Sequence, residues 1–79
     1  MRLDAATSEG LMARYYVNKN AQSNGDHEVH TTGCKWMPKT ENRIYLGSLN
    51  SCVPAVQEAR KHHLQVDGCK YCSAPCHTG

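Results

Sequence analysis

Three cysteines and a histidine fall close together near the C-terminus, in Gly68-Cys69-Lys70-Tyr71-Cys72-Ser73-Ala74-Pro75-Cys76-His77. Thiolate and imidazole are ligands for soft and borderline metal ions. Two cysteines with two residues between them can grip one ion from a single tight turn. A closed structural zinc site needs four such ligands in a tetrahedron. Cys69 and Cys72 supply half, and Gly68 ahead of them is read as backbone freedom for the turn. The other half has to come from elsewhere in the chain. His30 and Cys34 are the best candidates, because they flank Gly33, where a strand end and its following turn can aim both at one point. The expected set is therefore Cys34, Cys69, Cys72 and His30, with zinc in a structural role.

The sequence leaves one alternative open. Cys76 or His77 could replace His30, giving Cys34, Cys69, Cys72 and a fourth ligand from the tail. Ordering a terminal residue costs entropy, so the tail is read instead as a frayed end. Cys52 falls on the apolar stripe of a helix and reads as a small core hydrophobe.

Other metal and catalytic motifs fail on spacing. In His27-Glu28-Val29-His30 the gap is one residue short of the protease motif, and a strand would point the histidines to opposite faces. The deaminase pattern is absent, since Glu28 directly follows His27 and Gly68 precedes Cys69. Cys34, Cys69, Cys72 and Cys76 match no ferredoxin spacing.

The elements that must position these ligands have little core to work with. The chain has 79 residues with no Phe, one Trp and four Tyr. A chain of this size buries roughly 60% of its unfolded surface and is marginal on that alone. Small scaffolds of this kind rely on a disulfide, a metal or a partner subunit. Met1-Arg2-Leu3-Asp4 opens no apolar run, so no secretory signal or membrane span is expected, and the location read from this is cytoplasmic. Thiols there stay reduced, which favours metal over disulfide, and five cysteines cannot all pair within one chain. A net charge of +2 gives no strong pull toward nucleic acid or a membrane.

Residues 1–12 read as a flexible extension and 13–79 as one small domain. Ala13 to Asn18 is aromatic and β-branched, hence a strand. Asn24-Gly25 signals a hairpin, and His27 to Thr31 is the return strand, with His27, Val29 and Thr31 on one face and Glu28 and His30 on the other. Arg43 to Gly47 is a third strand, with Ile44 and Leu46 inward. Ser51, with Asn50 as the alternative, is read as the N-cap of a helix that is predicted to run to about His63, with Pro54 in its first turn. Cys52, Ala55, Val56 and Ala59 form its apolar stripe. His62 and His63 at its end sit where positive charge is favourable and need no further role. The predicted fold class is α+β: a three-stranded antiparallel sheet with one helix (β-β-β-α) and a C-terminal Cys-rich knuckle, which pins the last turn to the bend after strand two.

The run His30-x3-Cys34, Arg43-Ile44-Tyr45-Leu46-Gly47-Ser48, Ala55 to Ala59, and Gly68-Cys69-Lys70-Tyr71-Cys72 resembles the small Ada-type zinc module of bacterial alkyl-DNA repair regulators. A similar pattern forms tails on some bacterial nucleases. The resemblance covers about half the chain and implies one zinc site closed by a strand, a helix and a final C-x2-C. His30 stands where that module has its first cysteine, and imidazole is a poor substitute for a thiolate nucleophile, so alkyl transfer is not carried over. From Tyr15 to Thr78 the chain is also similar to a family of short uncharacterised bacterial Cys/His-rich proteins, on the marks Asn24 to His30, Tyr45-Leu46-Gly47-Ser48, and Gly68-Cys69-x-Tyr71-Cys72-Ser73-x-x-Cys76-His77-Thr78. That likeness brings no activity with it.

The function expected is a non-enzymatic, zinc-stapled binding module whose partner is a protein or a nucleic acid. A second reading is a metal-free cytosolic thiol protein with Cys69 and Cys72 as a redox pair. A third makes Tyr15, Tyr16, Trp36 and Tyr45, with Arg14, Lys35 and Arg43, a basic aromatic face that stacks bases. Against that third reading, a chain without Phe needs such rings for its core. An enzyme is not expected, because no acid, base and nucleophile converge.

Overall fold

A computed structural model describes residues 12–79; the expected N-terminal extension lies outside these but for Met12. Four strands form in chain order: β1 (Ala13–Asn18), β2 (His27–Thr31), β3 (Arg43–Leu49) and β4 (Val66–Gly68). Among the described residues one helix, α1 (Cys52–Ala59), lies between β3 and β4, and short 3-10 turns occupy Thr40–Asn42 and Ala74–Cys76. The strand order in the sheet is β3-β1-β2-β4. β1 runs antiparallel to both its neighbours, whereas β4 is parallel to β2.

The α+β class holds, and the three-stranded antiparallel sheet is corrected to a four-stranded mixed one. Val66–Gly68 is too short to show an alternating pattern, and only pairing along the free edge of β2 makes it a strand. A parallel neighbour needs a crossover. The chain supplies it by way of β3 and α1.

The helix is also shorter than predicted. Cys52, Ala55, Val56 and Ala59 are all buried, but the next positions on that stripe are His62 and His63, which offer no apolar surface to extend it. The chain tightens instead, with Lys61 N donating to Glu58 O and His62 N to Ala59 O. At the other end the cap is as predicted: Ser51 Oγ accepts from Val53 N at 3.2 Å. His63 has a role that the sequence did not reveal. Its ring stacks on His27 with centroids 3.6 Å apart and planes 7° from parallel, tying the chain after α1 to the start of β2. Burial holds the His63 imidazole below its usual pKa, and His27 and His62 push the same way.

Period two along β1 and β2 divides the sheet into two faces. Tyr15, Val17 and Val29 join Leu46 and the helix stripe in one core cluster. The opposite face carries Tyr16, which pairs with His30 on β2 and Tyr45 on β3. The register with β3 slips between Tyr15 and Tyr16, leaving Leu46 unpaired there. Gly47, at φ 129°, takes the backbone conformation that this bulge needs.

Two expectations for the tail are overturned. Cys52 and Cys76 form a disulfide with a sequence separation of 24, so Cys52 is more than a core hydrophobe and Cys76 is not frayed. The reason is topological: once β4 lies along β2, the following turn comes back over the start of α1. The residues after it are tied down as well. Asp67 is buried, and its carboxylate accepts from Thr78 N at 2.8 Å, Thr78 Oγ1 at 3.0 Å and Gly79 N at 3.3 Å. Burial opposes its charge, but the Thr78 and Gly79 donors and His77 outweigh that and hold the carboxyl below its usual range. His77 Nδ1 lies 3.0 Å from Gly68 O and 3.1 Å from Asp67 Oδ2.

Gly68 is required for space and not, as the sequence suggested, for backbone freedom. It is not among the glycines with positive φ. A Cβ there would fall 2.7 Å from both Cys76 Cβ and the Ser73 carbonyl oxygen.

Candidate metal centre

The pairing of β4 with β2 sets the site. Val29 lies opposite Gly68, and Cys69 N donates to Val29 O at 2.9 Å, carrying the ladder one step further. Cys69 therefore leaves the sheet beside His30. From the other side, Gly33 at φ 93° turns the chain after β2, and Cys34 N donates back to Thr31 O at 3.2 Å. The second loop closes on itself through Ser73 N to Cys69 O at 2.8 Å, which brings Cys72 over the same point.

His30, Cys34, Cys69 and Cys72 consequently each offer one ligand atom, all within 4.8 Å of one another. They are close enough to hold a metal ion. Cys34 Sγ is 3.9 Å from Cys69 Sγ, and Cys72 Sγ is 3.8 Å from His30 Nδ1. With Zn–S near 2.3 Å and Zn–N near 2.0 Å, the edges of a zinc tetrahedron are about 3.8 Å between sulfurs and about 3.5 Å between sulfur and nitrogen. These two separations are close to such edges, and Cys34 and Cys69 are too far apart for a sulfur–sulfur bond.

Two of the three sulfurs accept backbone hydrogen bonds. Thr31 N donates to Cys72 Sγ at 3.3 Å and Tyr71 N to Cys69 Sγ at 3.4 Å. Burial raises the cost of a Cys72 thiolate, yet the Thr31, Cys34 and Ser73 hydrogen bonds outweigh it and bring that pKa below its usual value. Cys34 goes the other way: burial and the neighbouring thiols push it up to about 11. Three thiolates so close together repel one another, and a dication is what allows all three to ionise.

His30 is 1% exposed, and its burial holds the imidazole below its usual pKa, in the neutral form that can ligate. Its two nitrogens face different partners. Nδ1 meets Cys72 Sγ, while Nε2 lies 3.5 Å from Glu28 Oε1. A carboxylate behind the second nitrogen is the usual way to fix the tautomer and orientation of a metal-ligating histidine. Glu28 was not predicted as part of the site. The signal was present, since Glu28 and His30 are two residues apart on one strand and share a face.

The open alternatives for the fourth ligand close here. Cys76 is spent in the disulfide, and His77 is turned to Gly68 and Asp67. Over the clasp, Trp36 and Tyr71 stack with centroids 5.9 Å apart. Lys35 and Lys70 lie 5.4 and 5.6 Å from those rings.

No family model, no curated protein and no solved structure matches this chain.

Proposed function

We propose that this chain is a non-enzymatic binding module stapled by a structural zinc ion held by His30, Cys34, Cys69 and Cys72. The observation that carries this reading is His30: a buried imidazole with one nitrogen among three sulfurs and the other on a carboxylate. Four N and S donors from the protein are the pattern of a closed, structural site. Its role is folding energy, on the order of 10–16 kcal/mol apparent for zinc in small peptides. The likeness to the Ada-type module is then one of spacing and metal use without alkyl transfer.

The redox-pair reading is weaker, because thiol–disulfide exchange needs an accessible thiolate, and Cys69 is 1% exposed. We assign no compartment. Among the described residues no helix is long and apolar enough to cross a membrane. A disulfide such as Cys52–Cys76 is typical of oxidising compartments, so the step from a cytoplasmic location to reduced thiols is not kept.

Metal analysis of chain purified without chelator tests the proposal. About one equivalent of zinc, and unfolding when a strong chelator removes it, is the expected result. Less than about a tenth of an equivalent, with a chelator leaving the fold intact, contradicts it.

A further inference from the structure

The two sides of the outer sheet face differ in charge. Around the clasp, on the β2 and β4 side, it is mixed, with Asp26, Glu28 and the buried Asp67 beside Lys70 and His77. On the β1 and β3 side a shallow groove is lined by Arg14, Tyr16, Thr40, Arg43 and Tyr45, with no carboxylate among them. Tyr16 and Tyr45 stand with ring centroids 5.3 Å apart and planes at 49°. The Arg43 guanidinium sits 4.6 Å above the Tyr16 ring and is oriented by donating from Nη1 to Pro38 O at 3.2 Å. Tyr45 is 54% exposed, and Arg14 is exposed beside it. The predicted basic aromatic face is thus split: Tyr15 belongs to the core, Trp36 and Lys35 belong to the clasp rim, and the other four residues remain together.

We propose that this groove binds single-stranded nucleic acid, with an unpaired base on Tyr45 and the flanking phosphates on Arg14 and Arg43. The proposal rests on reading the chain as a binding module whose zinc holds the fold and does not itself touch the partner. Aromatic rings offer a stacking surface to any unpaired base, and guanidiniums match phosphate geometry with paired donors. The charge of the groove favours this occupant, because its two guanidiniums, with no carboxylate among the lining residues, draw an anionic strand. A paired base cannot present its face to Tyr45, so duplex is excluded.

The test is fluorescence anisotropy of labelled oligothymidylate and oligouridylate, and of a duplex of matched length, with the full zinc-loaded chain. Single strands are expected to bind at low salt and to weaken steeply as salt rises. Tyr45→Ala should weaken binding about tenfold or more while Tyr45→Phe retains it. Arg14→Ala with Arg43→Ala should flatten the salt dependence, and Trp36→Ala, on the clasp rim, should change nothing. The proposal is overturned by no binding at low salt, by equal binding of duplex, or by loss with Trp36→Ala in place of Tyr45→Ala. Self-association that Tyr45→Ala abolishes, without oligonucleotide binding, also overturns it by making a second copy the occupant. Zinc content is measured on the same sample. Tyr45-dependent binding by a zinc-free chain would support this proposal while refuting the clasp.

Discussion

Two staples hold the segment after β4, one on each side of it, and they differ in kind. The first is the covalent bond from Cys52 to Cys76, which fastens the last turn to the start of α1 in contact with the core. The second is the proposed metal site at His30, Cys34, Cys69 and Cys72, which meet between the preceding turn and the end of β2 and would be fastened there by a bound ion. A disulfide acts mainly by restricting the unfolded chain. A metal site acts only if the ion is present and all its ligands converge. The division explains the odd cysteine count: two sulfurs pair, three converge, and an imidazole takes the fourth place in the cage.

Either staple can be removed on its own. The largest effect is expected on the metal side. Cys72→Ser or Cys69→Ser should abolish zinc binding and leave a chain that no longer unfolds cooperatively by circular dichroism. Cys52→Ala with Cys76→Ala should cost about 3.5 kcal/mol in a denaturant titration, from the closed-loop length. Unlike the first pair, it should leave zinc stoichiometry intact. If removing the disulfide also empties the zinc site, the two staples are one unit and the comparison fails.

Gly68→Ala probes the point where the two meet, because a Cβ there strikes the backbone of the 3-10 turn carrying Cys76. Overpacking against backbone should cost about 3 kcal/mol, read as a lowered denaturation midpoint with zinc retained. Glu28→Gln sharpens the account of the metal side alone. It should lower zinc affinity about 10- to 100-fold in a competition titration with a chromophoric chelator, since the partner of His30 Nε2 loses its charge. Ser51→Ala, far from the clasp, should cost only about 1 kcal/mol through the lost cap and leave zinc affinity unchanged.

Much of this arrangement could be read from residue types. The first two strands, the cap at Ser51 and the stripe from Cys52 to Ala59 each follow from local pattern, and all are present. So was the meeting of His30 and Cys34 with Cys69 and Cys72, because the bend at Gly33 and the C-x2-C turn each define half a cage. What was not legible depends on distant pairing. Val66–Gly68 becomes a strand only by lying along β2, and the disulfide follows from that placement. The cytosolic prior then pointed away from any disulfide at all. Gly68 was singled out as important for the wrong reason, since crowding by Cys76 and Ser73 cannot be seen before the turn is placed. The tail looked frayed because Asp67, which ties down Thr78 and Gly79, lies eleven residues or more back along the chain.

The most direct test of the central claim is the intact mass of the chain under native conditions, isolated without chelator or reductant. The expected mass carries one zinc ion and one disulfide per chain, with the zinc lost and the disulfide kept on acid denaturation. A mass with no metal and two disulfides, or with no metal and three free thiols in a chain that stays folded, would contradict the clasp.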